Sequence, residues 1–195
     1  MRGIVTFIVL CFVVLGGLLI KKRLFPSVQP ASRVVPPDPN RLTPPTFHAT
    51  GYVLDSDAST LRPVEISGPF GISSDRRVEL VVTALARFSN DSANAAAAPL
   101  PEGTQLKSVT VEDGLCTLDF NDAFGNRLFW AGAEHEHLAL RALVNSVTEI
   151  PGVTKVRIKV EGKPVESLGG HEAVTEPLTR DESVLPKAPG ARRSS

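Results

Sequence analysis

The sequence predicts an α+β fold: a two-layer sandwich in which one mostly antiparallel sheet carries two helices on a single face, behind an amino-terminal transmembrane helix. Three observations lead there. Elements in the order strand, helix, strand, strand, helix, strand can be laid along residues 50–160. Both helices carry a single apolar stripe, and a sheet that is wet on its far side gives both stripes a surface to bury. A charge-free run, Ile4 to Ile20, stands ahead of a proline-rich stretch.

The run IVTFIVLCFVVLGGLLI lies between Arg2 and Lys21-Lys22-Arg23. As a helix it spans about 25 Å, and the flanking basic side chains can snorkel to complete a crossing. No small-residue cleavage site follows it, so it reads as an uncleaved anchor rather than a secretory signal. By the charge count around it, the Lys21–Arg23 side is cytoplasmic, by a margin of about one charge. Residues 24–47 hold Pro26, Pro30, Pro36, Pro37, Pro39, Pro44 and Pro45. Proline fixes φ and removes donors, so this stretch is expected to be an extended spacer. The domain proper is placed at 48–181, and 182–195 reads as a disordered tail.

Within the domain, Thr50–Asp55 reads as a short strand and Val64–Ile66 as a second extended piece. Asp75 is the expected cap of a helix from about Arg76 to Ser89, because Val78, Val81, Val82, Leu85 and Phe88 recur at helical steps. The alanine run 95–98 could add a helical turn before Pro99. Residues 105–112 and 115–121 form a hairpin about Asp113-Gly114, a dipeptide suited to a turn with positive φ. Cys116, Leu118 and Phe120 share its inner face, Thr117 and Asp119 its outer one. A second helix is expected from about Ala133 to Glu149, with Leu140, Leu143, Val144, Val147 and Ile150 as its stripe and Pro151-Gly152 as its stop. Val153–Val160 is the last strand, with Val156, Ile158 and Val160 inward and Lys155, Arg157 and Lys159 outward.

Composition narrows the function classes. The 195 residues include 21 basic and 21 acidic side chains, and 42% are hydrophobic. Arg2, Lys21, Lys22 and Arg23 account for four of the basic residues, leaving 17 basic against 21 acidic residues. A body of that sign lacks the basic footprint of a nucleic-acid binder. Two cysteines, Cys11 and Cys116, cannot form a disulfide framework or a cysteine-rich zinc site.

Ligand chemistry is confined to Glu134-His135-Glu136-His137 with His171. A His-x-His pair could bind a metal on a strand, but on a helix the two imidazoles lie ~200° apart. The H-E-x-x-H order of a zinc protease is absent. Glutamates at a helix amino end simply complement its dipole. No glycine-rich phosphate loop and no nucleophile elbow appears, so no cofactor is expected. Lys155, Arg157 and Lys159 form an exposed basic row about 13 Å long. That row is the candidate docking face for an acidic partner.

Four stretches follow one another in a recognisable order. Pro101-Glu102-Gly103-Thr104 leads into LKSVTV, and Leu118-Asp119-Phe120-Asn121 is followed by Phe124. Residues 142–152, ALVNSVTEIPG, set Asn145 ahead of Pro151-Gly152, and Val153–Gly162 precedes Leu168-Gly169-Gly170. In this order they resemble the P-x-G-T, V-D-F-S-x-x-F, N-T-L-T-x-x-P-G and closing V-x-G and L-x-G patterns of the GerMN domain, a module of bacterial spore-germination and cell-envelope proteins. The likeness covers roughly residues 50–180. It departs at Ser146-Val147, where the family has Thr-Leu, and in the alanine-rich loop 93–98.

The resemblance implies a fold similar to the ring-building domains of secretion and sporulation machines. It attaches no catalytic activity, and it implies a position outside the cytoplasmic membrane, against the one-charge margin. Pro101, Gly103, Thr104, Asp119, Phe120, Phe124, Asn145, Pro151 and Gly162 then carry structural roles. The leading functional reading is a non-enzymatic, single-pass, membrane-tethered interaction domain with an unidentified envelope protein or wall polymer as partner. Two other readings are a metal-dependent hydrolase using His135, His137 and His171, and a self-assembling scaffold of identical chains.

Overall fold

A computed structural model describes residues 45–57 and 59–186. The expected anchor, most of the proline-rich spacer and the end of the tail lie outside the described residues. Strand β1 (Thr46–Leu54) returns antiparallel into β2 (Leu61–Pro69), in register from Thr46 opposite Pro69 to Leu54 opposite Leu61. Helix α1 (Ser74–Ser89) follows, then a 3-10 turn over Ser92–Ala97. Strands β3 (Leu106–Glu112) and β4 (Leu115–Phe120) form the expected hairpin. Asp113 and Gly114 adopt φ of 49° and 81°, the turn conformation that their residue types favour. A 3-10 turn (Asp122–Gly125), helix α2 (Ala133–Val147), strand β5 (Lys155–Val160) and two short strands, β6 (Lys163–Pro164) and β7 (Leu178–Thr179), complete the fold.

The strands form two sheets, which corrects the expectation of one. Strands β1 and β2 pair only with each other, while β3, β4, β5 and β6 run side by side with β7 also on β5. Side-chain chemistry explains the separation. The Tyr52 N–H on β1 donates to the Ser146 hydroxyl of α2 at 2.8 Å, so a helix side chain takes the bond that another strand would need. The larger sheet is mixed: β4 and β5 are parallel, as a strand–helix–strand crossover through α2 requires.

The two helices differ in how much of their surface is covered. Along α1 the predicted stripe holds: Val78, Val81, Val82 and Leu85 are buried, and Phe88 is half-buried. Its cap is Ser73, whose hydroxyl accepts from the Arg76 N–H, while Asp75 falls in the first turn, where a carboxylate suits the dipole. In α2 every residue from Leu138 to Val147 except Arg141 is buried. A helix covered all round is enclosed rather than laid on a surface. It contacts β1, β5, β7 and α1. Both helices also touch the larger sheet, of which only one face is buried, carrying Cys116, Leu118, Phe120, Val156 and Ile158.

The carboxyl-terminal strap from Val165 to Pro186 closes the molecule. Val184 is buried and its carbonyl accepts from the Leu61 N–H at 3.0 Å. The ordered core therefore continues past residue 181, correcting the start of the tail. One apolar side chain with a backbone bond is enough to dock a chain end that composition marks as loose.

Candidate interaction surface

The open face of the larger sheet is built as three rungs. Strand register aligns Glu112, Leu115 and Lys155 on the first, Thr110, Thr117 and Arg157 on the second, and Ser108, Asp119 and Lys159 on the third. Alternation along each strand sends these side chains away from the core. The predicted basic row is therefore in place, with Lys155 exposed and Arg157 and Lys159 half-buried.

Its electrostatics depart from the rest of the molecule. Among the described residues, five arginines are half-buried: Arg62, Arg77, Arg141, Arg157 and Arg180. Arg62 lies over the Phe88 ring and Arg77 over Phe47, at 5.6 and 5.5 Å from the ring centroids. Arg141 pairs with Glu172, and Arg180 with Glu149 at 2.7 Å. Among the described residues, Arg157 has no carboxylate within 4.0 Å and no aromatic ring beneath it. Lys155 and Lys159 likewise have no ion pair. Asp119 neighbours Lys159 in register, but its Oδ1 accepts from the Gly162 N–H at 2.8 Å.

The histidines are not brought together. His135 packs edge-on against Phe129, ring centroids 4.9 Å apart, and burial pushes its imidazole below the ordinary value. His137 Nδ1 lies 3.0 Å from Glu172, and His171 is exposed. No group of three histidine, cysteine or carboxylate side chains among the described residues could hold a metal ion. Two clefts of about 440 and 450 Å³ lie elsewhere, one lined by His48, Thr50, Glu65 and Glu149, the other by Ser73, Arg76, Glu79 and Lys107. The Cys116 thiol is buried under the sheet, and burial, with the Asp75 charge, pushes its pKa up to about 12. At neutral pH it is a protonated, unreactive thiol.

Residues of the quoted motifs interlock. Thr104 is buried and its hydroxyl donates to the Pro101 carbonyl at 2.7 Å. Gly103, at φ 79°, donates its N–H to Asn90. Asn121 ties this turn to β4, donating to the Gly103 carbonyl and accepting from the Gln105 N–H. Phe120 and Phe124 stack at 4.1 Å, and the Trp130 indole N–H donates to the Phe124 carbonyl. Pro151 is exposed in the turn after α2, and Gly162 takes φ 77° beside Glu161 at 52°.

Two more side chains have large structural roles: Asn145, which belongs to the quoted motifs, and Glu136, which reads in sequence only as helix-dipole chemistry. Glu136 is fully buried, and its carboxylate accepts from Ser167, Gly169 and His171. Burial by itself would raise its pKa, but these bonds outweigh burial and hold the carboxyl below its ordinary value. Asn145 pairs with the Asp181 backbone at both ends of its amide, 2.7 and 2.9 Å. Arg180 adds bonds to the Asn145 carbonyl and the Tyr52 hydroxyl. A helix-start glutamate reads as dipole chemistry until the strap that folds over it is seen.

Comparison with known proteins places this geometry. No curated protein matches the chain. Among solved structures, the tandem GerMN domains of the sporulation protein GerM from Bacillus subtilis are 26% identical with a TM-score of 0.54. That match covers 72% of this chain and 48% of the tandem chain, so this chain spans about half its length. The first GerMN domain of the same protein is 17% identical over 69% of this chain and 96% of that one, with a TM-score of 0.49. The family model described as sporulation and spore germination matches residues 50–166, more than half of the sequence, and the chain belongs to that Germane family.

Proposed function

We propose that this protein is a non-enzymatic interaction domain of the bacterial cell envelope, held to the cytoplasmic membrane by residues 4–20 and docking an anionic partner on its open sheet face. Family membership supports a role in sporulation, germination or related envelope assembly. One observation carries the docking reading: Arg157, half-buried and flanked by Lys155 and Lys159, is the half-buried arginine without a partner among the described residues. An incoming anion would supply the charge partner that the domain itself does not. The domain is proposed to lie on the extracytoplasmic side. Among the described residues no helix is long and apolar enough to cross a membrane, and the run 4–20 lies outside them.

Crosslinking the full-length protein in its native cells tests the docking face. The wild type should capture an envelope component that the Lys155→Glu/Arg157→Glu variant loses. Unchanged capture by that variant would remove the sheet face from the proposal. Protease accessibility of residues 48–181 in spheroplasts tests the side: protection from added protease would place the domain in the cytoplasm.

A further inference from the structure

Apart from the docking reading, we infer that β3 pairs with β3 of a second copy of this chain, antiparallel about a two-fold axis at Thr110. How the other described sheet edges are closed carries the first step. Helix α2 covers β1, and Ser146 takes the Tyr52 N–H. On β2 the outward N–H groups alternate from Leu61, which donates to the Val184 carbonyl. Pro63 and Pro69 fall in the same series and have no N–H, so Glu65 and Ser67 are boxed between prolines. Beyond β5 lie β6 and β7, of two residues each, with Pro164 in β6. Strand β3 has none of these devices: it runs for 7 residues without a proline. Its pairs Glu112–Leu115 and Thr110–Thr117 bond to β4, which turns the N–H and C=O of Val109 and Val111 outward. Among the described residues neither valine has a backbone partner on that side. A lysine can guard an edge, but Lys107 is tied across the sheet to Glu161 at 2.5 Å. Helix α1 stands back from the edge, leaving a cleft of about 450 Å³ between Arg76 and Glu79 on one side and residues 106–109 on the other.

The identity of the occupant comes from the strand itself. A row of backbone donors and acceptors at strand spacing is met by another extended polypeptide. Centred on Thr110, the antiparallel register sets Val109 of each copy opposite Val111 of the other, so the outward groups of both exchange hydrogen bonds. Thr110 then faces Thr110, a favourable cross-strand pair, and Ser108 faces Glu112. Apolar side chains stay on the inner face and polar ones on the open face, as a shared sheet requires. No like charges meet, and the same register brings Lys107 of each copy toward Asp113 of the other. A foreign strand would have to reproduce this alternation and charge order, whereas a second copy carries both by symmetry. Because each copy has one open edge of this kind, the pairing is isologous and closes at two chains.

Cysteine crosslinking of the full-length protein in its native membranes reads the register directly. Across the axis the two Thr110 Cα atoms would lie about 4.5 Å apart, within disulfide reach. The two Ser108 positions would lie about 14 Å apart, beyond it. Both residues are exposed, so they differ in register and not in access to oxidant. In a Cys11→Ser background the remaining native thiol is the buried Cys116. Thr110→Cys should then form an intermolecular disulfide on oxidation, and Ser108→Cys should not. Equal crosslinking at both positions would mean random collision and overturn the pairing, as would no disulfide at Thr110→Cys. Sedimentation of the full-length chain in detergent should show a concentration-dependent dimer. Thr110→Glu, which opposes two like charges at the axis, should weaken that dimer by roughly tenfold and leave the urea midpoint unchanged. A dimer indifferent to Thr110→Glu would move the interface off β3. A chain monomeric at every concentration would end the inference and leave β3 to a foreign strand, with the docking face still decided separately by capture in cells.

Discussion

Arg157, within β5, and Arg180, directly after its neighbour β7, are both half-buried arginines in opposite electrostatic settings. Arg180 is held by Glu149 at 2.7 Å, the Tyr52 hydroxyl and the Asn145 carbonyl, each at 3.2 Å, with Glu182 at 3.6 Å. Arg157 has no such company among the described residues. On the strap side the charged groups pair with one another, although the buried Arg141 Nε lacks a hydrogen bond, while the open sheet face leaves its cations without ion pairs among the described residues. A charge that the fold compensates belongs to the fold; one that it leaves uncompensated is available to something outside. The contrast predicts that substitutions on the strap side cost stability and that substitutions on the open face cost binding.

The largest stability effect is expected at Gly169. A Cβ added there would stand 2.1 Å from the Trp130 carbonyl oxygen and 2.7 Å from Glu136 Oε2, and the first of these is backbone that cannot step aside. Gly169→Ala should lose about 3 kcal/mol, read as a lower urea midpoint, because overpacking is relieved only by moving the strap. A stability within error of wild type would show that the strap is loosely held, and the contrast between the two sides would fail.

Next in size is the carboxylate beneath that strap. Glu136→Gln keeps the shape but removes the charge that three donors converge on, at an expected cost of about 2 kcal/mol. The pH dependence has a defined sign. The folded-state pKa of Glu136 is depressed, so its contribution is fully present above the ordinary value of 4.5 and is lost as pH falls through the folded value. The His135 imidazole is also depressed, here by burial, so its neutral form is favoured in the folded state and stability declines as pH falls below 6.5. Unfolding followed across pH should show a first loss beginning near 6.5 and a second below 4.5. Glu136→Gln should reduce only the second, to which the depressed carboxyls of Asp57, Glu161 and Asp181 also contribute.

These residues also mark where sequence reasoning stops. The β3–β4 hairpin and the inner faces of β4 and β5 are legible because two-residue alternation and Asp113-Gly114 are local signals. The turn at Glu161-Gly162 has the same backbone sign pattern, φ 52° and 77°, yet glutamate does not announce it. The split into two sheets depends on Ser146 meeting a strand 94 residues away, which no local pattern encodes. Helix α2 shows a stripe in sequence but is buried nearly all round, because alanine, serine and asparagine on its other faces are small enough to accept β1 and the strap. Within the candidate surface, the outward pattern Lys155, Arg157 and Lys159 is a period-two reading. That the cations stay unmatched is a property of strand register and of Asp119 turning to Gly162.

A smaller loss is expected from opening the network at Arg180. Arg180→Gln leaves Glu149 with only the Tyr52 hydroxyl as donor among the contacts shown, at an expected cost of about 1–2 kcal/mol, since both partners remain partly solvated. Pairing Arg180→Gln with Glu149→Gln should recover part of that loss in a double-mutant cycle. Strict additivity would mean the pair is not coupled, and the closed character of the strap side would rest on Asn145 and Glu136 alone.

The smallest stability effect, and the sharpest test of the contrast, is at Arg157. Arg157→Gln should change unfolding stability by no more than about 0.5 kcal/mol, because no bond within the domain is given up. Relief from the neighbouring Lys155 and Lys159 charges should make the change neutral or slightly favourable at low salt, with the difference shrinking as salt screens the row. A drop of about 2 kcal/mol would mean that Arg157 serves the fold as Arg180 does, and its unmatched charge would lose its claim on an outside partner. Stability unchanged together with lost capture in cells is the combination that only a docking residue produces, since a residue needed for folding lowers both and a solvated bystander lowers neither.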